Sequence, residues 1–476
     1  MKRGFVSALP IMMALGGCVV PKDTWVRTVS PHFELIGAMP GDDAEDFVRT
    51  LETFRTALLA IVFDGRLKHP GRMVVIVADR LSRYSRTAEL GGTAMNAAIP
   101  ALGMSEVMIL DGTIFPRTQL ERVAKHELTH AITLPYAPGM PHWYSEGIAG
   151  LFETIDIDRA RGVVSLDRWD RSHERYRYRP LSVEAVFAWQ APIWDVTAKM
   201  QYATAIQLLQ MLQQRHPRML SAFEAAMHEG SDWTQAWSET FGDDAIARLT
   251  TELQAFTFTE PPTAGRVSLR FSKPEVGVAR MASNAEIHAA RALLYGYALG
   301  RRKEAQAVAL ATSELEASLS EDDAGATGLL AAGLLYDGYP EARAPDLELA
   351  RIRRVLARDP TSWRAAVLLS QTEAPLRERT QALERTWPQH RDEPYLVAAL
   401  ARVKLEHGDA RGALDLVKAT PGKSLDDPYI MALYLDALAA NHSCDRQAAA
   451  RARQAADTVA WRKRISEYAD RQCPAR

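Results

Sequence analysis

The reading of the chain turns on Val123-Ala124-Lys125-His126-Glu127-Leu128-Thr129-His130-Ala131-Ile132. Its two histidines stand four residues apart. On a helix that spacing stacks both imidazoles on one face, one turn apart, close enough to share a single ion. Glu127 lies off that line, beside the first histidine. From there a carboxylate can reach over a bound metal and take a proton from water. Val123, Ala124, Leu128, Ala131 and Ile132 make the flanks apolar, as expected of a helix buried in a core. Ordinary helices produce the same pattern by chance, so the context decides its meaning.

The context follows at once. Leu134-Pro135-Tyr136-Ala137-Pro138-Gly139-Met140-Pro141 breaks the helix. Pro141 suits the first turn of a new one, which runs His142-Trp143-Tyr144-Ser145-Glu146-Gly147-Ile148-Ala149-Gly150-Leu151-Phe152. A helix-turn-helix course can return Glu146 to the His126/His130 face as a third ligand. Two neutral imidazoles and one carboxylate leave a fourth tetrahedral position for water, the arrangement of a catalytic rather than a structural zinc site. Zinc (Zn2+) lowers the pKa of such a water toward about 7 and polarises a scissile carbonyl. His142, four residues before Glu146, is a competing ligand.

HELTH followed by W-Y-S-E-G-I-A-G resembles the gluzincin metallopeptidases. More narrowly, it is similar to the bacterial peptidase MA-like families, which carry HExxH and then WxxEGxA. The resemblance covers Trp25 to Phe258. It implies an α+β zincin-like catalytic domain in which His126, His130 and Glu146 bind zinc and Glu127 is the general base. The spacer is shorter than in thermolysin-like or aminopeptidase N-like enzymes, and no GxMEN-type exopeptidase motif is visible. An endopeptidase is therefore expected. The resemblance also implies that the last strand before the HExxH helix lies at the sheet edge beside the metal, where an extended peptide can add by β-augmentation. In gluzincins a helix after the third ligand often carries a tyrosine that stabilises the oxyanion. Tyr202, at the start of the helix Met200 to Arg215, occupies such a place; a tyrosine packed in the core is the equal alternative.

The chain has 476 residues, 47% of them hydrophobic, which allows two or three globular domains. Its 57 basic and 59 acidic residues leave a net charge of −2 and give no case for a nucleic-acid partner or a polybasic membrane patch. Met1-Lys2-Arg3 and the apolar run Phe5 to Leu15 read as a signal peptide over residues 1–17. Leu15-Gly16-Gly17-Cys18 resembles a bacterial lipobox, with Cys18 as the lipidated first residue; a plain secretory signal is the alternative. Val19 after Cys18 resembles an outer-membrane sorting choice, so the expected location is the periplasmic side of that membrane, held by acyl chains. Cys444 and Cys473 remain. In an exported protein they suggest a disulfide, with two free thiols as the alternative.

Residues 18–265 form the expected catalytic domain. Alternation over residues 24–37 predicts strand structure, and Phe47, Leu51, Phe54, Leu58 and Leu59 at helical spacing predict a helix over 42–63. Arg72 to Ala78 and Ser105 to Leu110 read as buried strands, with Gly91-Gly92-Thr93 as a loop between them. The basic and aromatic segment Asp156 to Pro180 reads as a solvated excursion or, less simply, a cleft lining; His173 within it is not taken as a ligand. Residues 266–283, after Pro261-Pro262 and Gly265, read as a linker with a brief strand-like run.

Residues 284–476 read as an all-α helical-repeat domain. The segments 291–305 and 395–413 each place a glycine five residues before an alanine and resemble tetratricopeptide units; generic helical hairpins are the alternative. Asp359-Pro360-Thr361-Ser362-Trp363 looks like a third unit boundary. Such a domain presents an extended surface for a protein partner. The expected function is a lipid-anchored zinc peptidase acting on a peptide or protein substrate. The alternative is an inactive peptidase-fold scaffold that binds partners through the helical arm. The M48-type peptidases with tetratricopeptide repeats use a different third-ligand motif.

Overall fold

The computed structural model describes residues 24–455, apart from 64–72, 82–83, 85–93, 98–106, 114–116, 134–139, 166–178, 190–195, 229–230, 243, 257–265, 302–304, 324, 339–344, 392 and 420–427. Two short alternating runs form β1 (Val26–Val29) and β2 (Phe33–Gly37), antiparallel, with Val26 opposite Gly37. The Ser30 amide donates to the Phe33 carbonyl at 2.8 Å to close the turn between them. Helix α1 (Gly41–Phe63) opens on Asp42 and Asp43, which suit the positive end of its dipole. Then come β3 (Met73–Ala78), β4 (Ala94–Ala97) and β5 (Val107–Asp111).

These strands form a mixed sheet in the order β4-β5-β3-β2-β1, with β2, β3 and β5 parallel. Every residue of β3 and β5 is buried, because both faces of the sheet are covered. The period of two divides their side chains cleanly. Met73, Val75, Val77, Met108 and Leu110 meet α1 and the HExxH helix α2 (Arg117–Thr133) on one face. Val74, Ile76, Ala78, Val107 and Ile109 join a second core on the other face, shared with helices beyond residue 284.

The strand read from residues 105–110 is therefore not the edge strand. β5 is flanked on both sides, and the edge among the described strands is β4, antiparallel to it with Ala94 opposite Leu110. Ala-Met-Asn-Ala has low β-propensity and no alternation, so nothing in its composition announces a strand.

After α3 (His142–Phe152) a hairpin of β6 (Asp156–Asp158) and β7 (Val163–Ser165) turns through Gly162, whose φ of 65° favours glycine. Five helices follow: α4 (Val183–Phe187), α5 (Val196–Arg215), α6 (Pro217–His228), α7 (Trp233–Phe241) and α8 (Ala245–Ala255). They enclose a third core built around Trp143, Phe223, Trp237 and Leu209.

The segment expected as a linker is strapped to both sheets. β8 (Arg266–Ser268) pairs with β7, and β9 (Arg280–Met281) pairs antiparallel with β1. Between them Leu269, Phe271 and Val276 pack against the α1 face of the large sheet's core. Their partners lie far back in the chain, so local composition does not reveal the pairing.

From Asn284 on, the described residues are helical: α9 (Asn284–Arg301), α10 (Ala305–Glu321), α11 (Ala326–Gly338), α12 (Pro345–Arg358), α13 (Trp363–Ser370), α14 (Leu376–Thr386), α15 (Pro394–Glu406), α16 (Ala410–Lys418), α17 (Pro428–Ala440) and α18 (Arg446–Ala455). Most helices pack on their neighbours and, at α9/α11, α11/α13, α13/α15 and α15/α17, on the next but one. The boundary expected at residues 359–363 falls between α12 and α13. Gly408, with φ 79°, ends α15, and Asp409 caps α16 by accepting from the Gly412 amide at 2.9 Å. Cys444 is disulfide-bonded; Cys473, its expected partner, lies outside the described residues, as do Cys18, His173 and the signal segment. No described helix is long and apolar enough to cross a membrane.

Candidate metal centre

Three forces place α2. Leu120, Ala124, Leu128 and Ala131 recur at helical spacing and bury against the sheet. Arg117 ties the first turn down through Asp43 at 2.8 Å and Glu121 at 3.1 Å. The helix lies against β5 and the edge strand β4. Arg122, His126 and His130 then form a row at four-residue spacing, turned toward α3 rather than the sheet.

α3 has two faces with different tasks. Trp143 sits fully buried, stacked on Phe187 at 5.3 Å and edge-on to Trp237 at 6.0 Å. Tyr144 hydrogen-bonds Glu224 of α6. Gly147 lets the helix approach α5 closely, since a β-carbon there would stand 3.1 Å from the Ala205 carbonyl oxygen. That side fixes α3 against the helical lobe. Ser145 and Glu146, on the other side, face α2.

The sequence-predicted ligands meet. His126 Nε2 lies 3.1 Å from His130 Nε2 and 3.2 Å from Glu146 Oε2, and His130 Nε2 lies 3.4 Å from the same oxygen. Donors about 2.0–2.1 Å from a tetrahedral metal stand about 3.3–3.4 Å from one another. The triangle has that size. His126, His130 and Glu146 form the one group among the described residues able to hold a metal ion. Two imidazole nitrogens and a carboxylate suit a first-row divalent ion.

No family model, curated protein or solved structure matches this chain. The chemistry of the site therefore rests on its own geometry.

The electrostatics agree with a cation site. Burial opposes protonation of His126, but its hydrogen bonds to the Glu146 and Glu153 carboxylates outweigh it and raise its pKa to about 10. Burial pushes the Glu146 carboxyl up, and the adjacent His130 and His126 more than reverse this, holding it well below the usual carboxylate range. This pocket favours positive charge, whether a proton or a metal ion.

Outside the triangle, His142 Nδ1 lies 3.7 Å from Glu146 Oε1, the oxygen that does not face the other two ligands. Its ring meets Trp189 edge-on at 4.3 Å, and burial lowers its pKa. Trp189 in turn meets the Tyr202 ring edge-on at 4.7 Å. Tyr202 is half-buried at the rim of the helical core. Glu127 is half-buried on α2, directly after His126.

Sequence reasoning named neither of two side chains that contact the ligands. Glu153 Oε2 lies 3.0 Å from His126 Nδ1, and Ser145 Oγ lies 3.0 Å from His130 Nδ1. Ser145 lies inside the W-Y-S-E-G run and was legible as a neighbour of Glu146. Glu153 follows the helix as one acidic residue among many, and only the packing of α3 on α2 brings it to the histidine.

Proposed function

We propose that this protein is a zinc-dependent peptidase of the gluzincin, peptidase MA-like type. In this reading it is lipid-anchored through Cys18 on the periplasmic side of a bacterial outer membrane. The observation that supports it most is the triangle of His126, His130 and Glu146 donor atoms at 3.1, 3.2 and 3.4 Å, with Glu127 adjacent on the same helix. Zinc held there would supply Lewis-acid polarisation of a peptide carbonyl and of the attacking water.

The residues divide the remaining work. Glu127 takes the proton of the attacking water and delivers it to the leaving amine. Tyr202 donates a hydrogen bond to the oxyanion that develops as the carbonyl is attacked. β4 ends the sheet beside α2, with no described strand beyond it, so an extended substrate can align its backbone there. The fold is read as a zincin-like α+β unit with a tetratricopeptide-like helical region, whose successive packed helices suit a protein partner.

Glu127→Gln tests the peptidase reading. It should keep zinc and the fold while lowering turnover of unfolded protein substrate by about 10²–10⁴-fold, the usual contribution of a general base. Zinc-loaded wild-type protein that cleaves nothing, or a Glu127→Gln variant that cleaves equally well, would refute it.

A further inference from the structure

Val278 is 86% exposed and Met281 61%, more than any other large apolar side chain among the described residues. Both stand on the strap that runs along β1, and the strap is held firmly. The Gly277 amide donates to the Val29 carbonyl at 2.8 Å, and the Ala282 amide to the Trp25 carbonyl at 2.9 Å. Thr28 Oγ1 donates to the Gly277 carbonyl at 2.7 Å. β9 is thus fixed beside β1 while Val278 and Met281 remain in solvent. Scattered apolar side chains on a surface are ordinary; adjacent ones on a fixed edge point to something that covers them.

We propose that this β1/β9 edge is a docking surface for the phospholipid bilayer that holds the Cys18 acyl chains. The proposal rests on the lipid-anchor half of the reading above and is independent of zinc and of peptidase activity.

The place where the tether enters the fold carries the argument. Cys18 precedes Trp25 by seven residues, at most about 25 Å of fully extended chain. Trp25 is buried, and its carbonyl accepts from the residue after Met281. Acyl chains at Cys18 therefore keep the Met281 corner within reach of the bilayer surface. The charge is complementary as well. Arg266, Arg270 and Lys273 are exposed on the same strap with one exposed acidic residue, Glu275, although the chain as a whole carries −2. Arg280 is exposed too, but Glu286 holds it. Cations beside apolar side chains suit a phospholipid surface, where phosphates overlie acyl chains.

A further strand fits this edge less well. β9 has two residues, and the Ala279 amide beside them is taken by Glu45 Oε1 at 2.8 Å. Little backbone is left to pair with a peptide or a second copy. Among the described strands, β9 and β4 are the opposite edges of one sheet, roughly 24 Å apart at about 4.8 Å per strand. A protein seated on β9 turns β4 away from the bilayer, so a peptide that adds to β4 arrives from the aqueous side.

The test is spin-label accessibility in the processed, acylated chain on vesicles of phosphatidylethanolamine and phosphatidylglycerol. Cys18 is acylated there and Cys444 is disulfide-bonded, which leaves an introduced cysteine to take the label. A label at Val278→Cys should lose collisions with a water-soluble nickel complex and gain them with oxygen, as groups at a bilayer interface do. A label at Val62→Cys should behave as in water. Val62 is exposed near the end of α1, about 30 Å along the helix from Gly41, which lies against Ala279. A label is itself apolar, so a second arm places it at Ser283→Cys and removes the native side chains instead. Shielding there should be lost when Val278→Ser and Met281→Ser are added, each weakening the contact up to about tenfold, with melting unchanged. Equal nickel accessibility at Val278→Cys and Val62→Cys, on a chain whose acyl groups are seen by mass spectrometry, overturns the docking surface and leaves the anchor standing. A Cys18 without acyl groups removes the anchor and the docking surface together. Shielding that grows with protein concentration rather than with lipid also overturns the proposal, because a second copy then covers the edge.

Discussion

Thr327 of α11 donates its hydroxyl to Oε1 of Glu34 on β2, at 3.0 Å, joining the helical region to the middle of the sheet. Glu34 is nearly fully buried, and the same oxygen accepts from Arg27 Nε at 2.9 Å. Arg27 also meets Glu286 at 3.2 Å, and Arg280 holds Glu286 with both terminal guanidinium nitrogens. Around this polar link, Trp25, Ile36, Val74, Ile76, Val107 and Ile109 share one apolar core with Leu293, Leu330 and Leu335. The division into a catalytic domain over residues 18–265 and a helical domain over residues 284–476 therefore calls for a direct test. A chain ending at residue 283 would expose that whole sheet face, and loss of cooperative melting with dye binding is the expected result. A fragment that melts like the intact protein and binds zinc would show the two parts to be independent. Thr327→Val, which keeps the shape and removes one partner of a buried carboxylate, should cost about 1–3 kcal/mol in denaturant unfolding.

Gly147 explains why a glycine follows the third ligand. A methyl group there would stand 3.1 Å from the Ala205 carbonyl oxygen and 3.3 Å from Leu209 Cβ and Cδ2. Leu209 can shift, but a helix carbonyl cannot do so cheaply. Gly147→Ala should gain up to about 1 kcal/mol of helix propensity and lose about 1–3 kcal/mol to overpacking. α3 must move away from α5, and Glu146 moves with it. Weaker zinc binding with little change in secondary structure is the expected outcome, read by chelator competition and circular dichroism. Unchanged affinity would mean that the helix pair absorbs the methyl without moving the ligand.

These contacts show how far sequence reasoning reached. The ligand triad was legible because it depends on helical spacing and one short turn. β3 was legible because an apolar run covered on both faces carries its own signal. The sheet edge was not, since β4 is Ala-Met-Asn-Ala and is a strand only because β5 offers it hydrogen bonds. The strand-like run at β8 was legible but its pairing with β7 was not, and β9, which pairs with β1, carried no signal of its own. Glu153 depends on how two helices pack, and neither helix reports that alone.

Tyr202 offers a test with two clear arms. Phenylalanine there keeps the edge-on contact with Trp189 at 4.7 Å and removes only the hydroxyl. If that hydroxyl stabilises the oxyanion, Tyr202→Phe should lower kcat by about 10²–10³-fold while zinc content and melting stay as in wild type. Full activity would make Tyr202 a packing residue of the helical core.

The pH dependence of the metal-free and metal-loaded proteins should run in opposite directions. His126 has a folded-state pKa raised from 6.5 to about 10 by Glu146 and Glu153, against the opposing effect of burial. A raised pKa contributes stability that is fully present below the unfolded value and is lost as pH rises through the folded one. The metal-free protein should therefore lose this contribution between pH 6.5 and about 10. Glu146, with a lowered pKa, acts in the other sense: its contribution is present above 4.5 and fades as pH falls through the folded value. Zinc must displace the proton of His126, so its affinity should rise about tenfold per pH unit below that pKa, with one proton released. Ligand stabilisation grows with the ratio of free zinc to Kd, so the zinc-induced rise in Tm should widen from pH 6 to pH 8 at fixed free zinc. Calorimetry in buffers of different ionisation enthalpy counts the released proton directly. A zinc-induced shift in Tm that is flat across this range would mean that His126 gives up no proton when the metal binds.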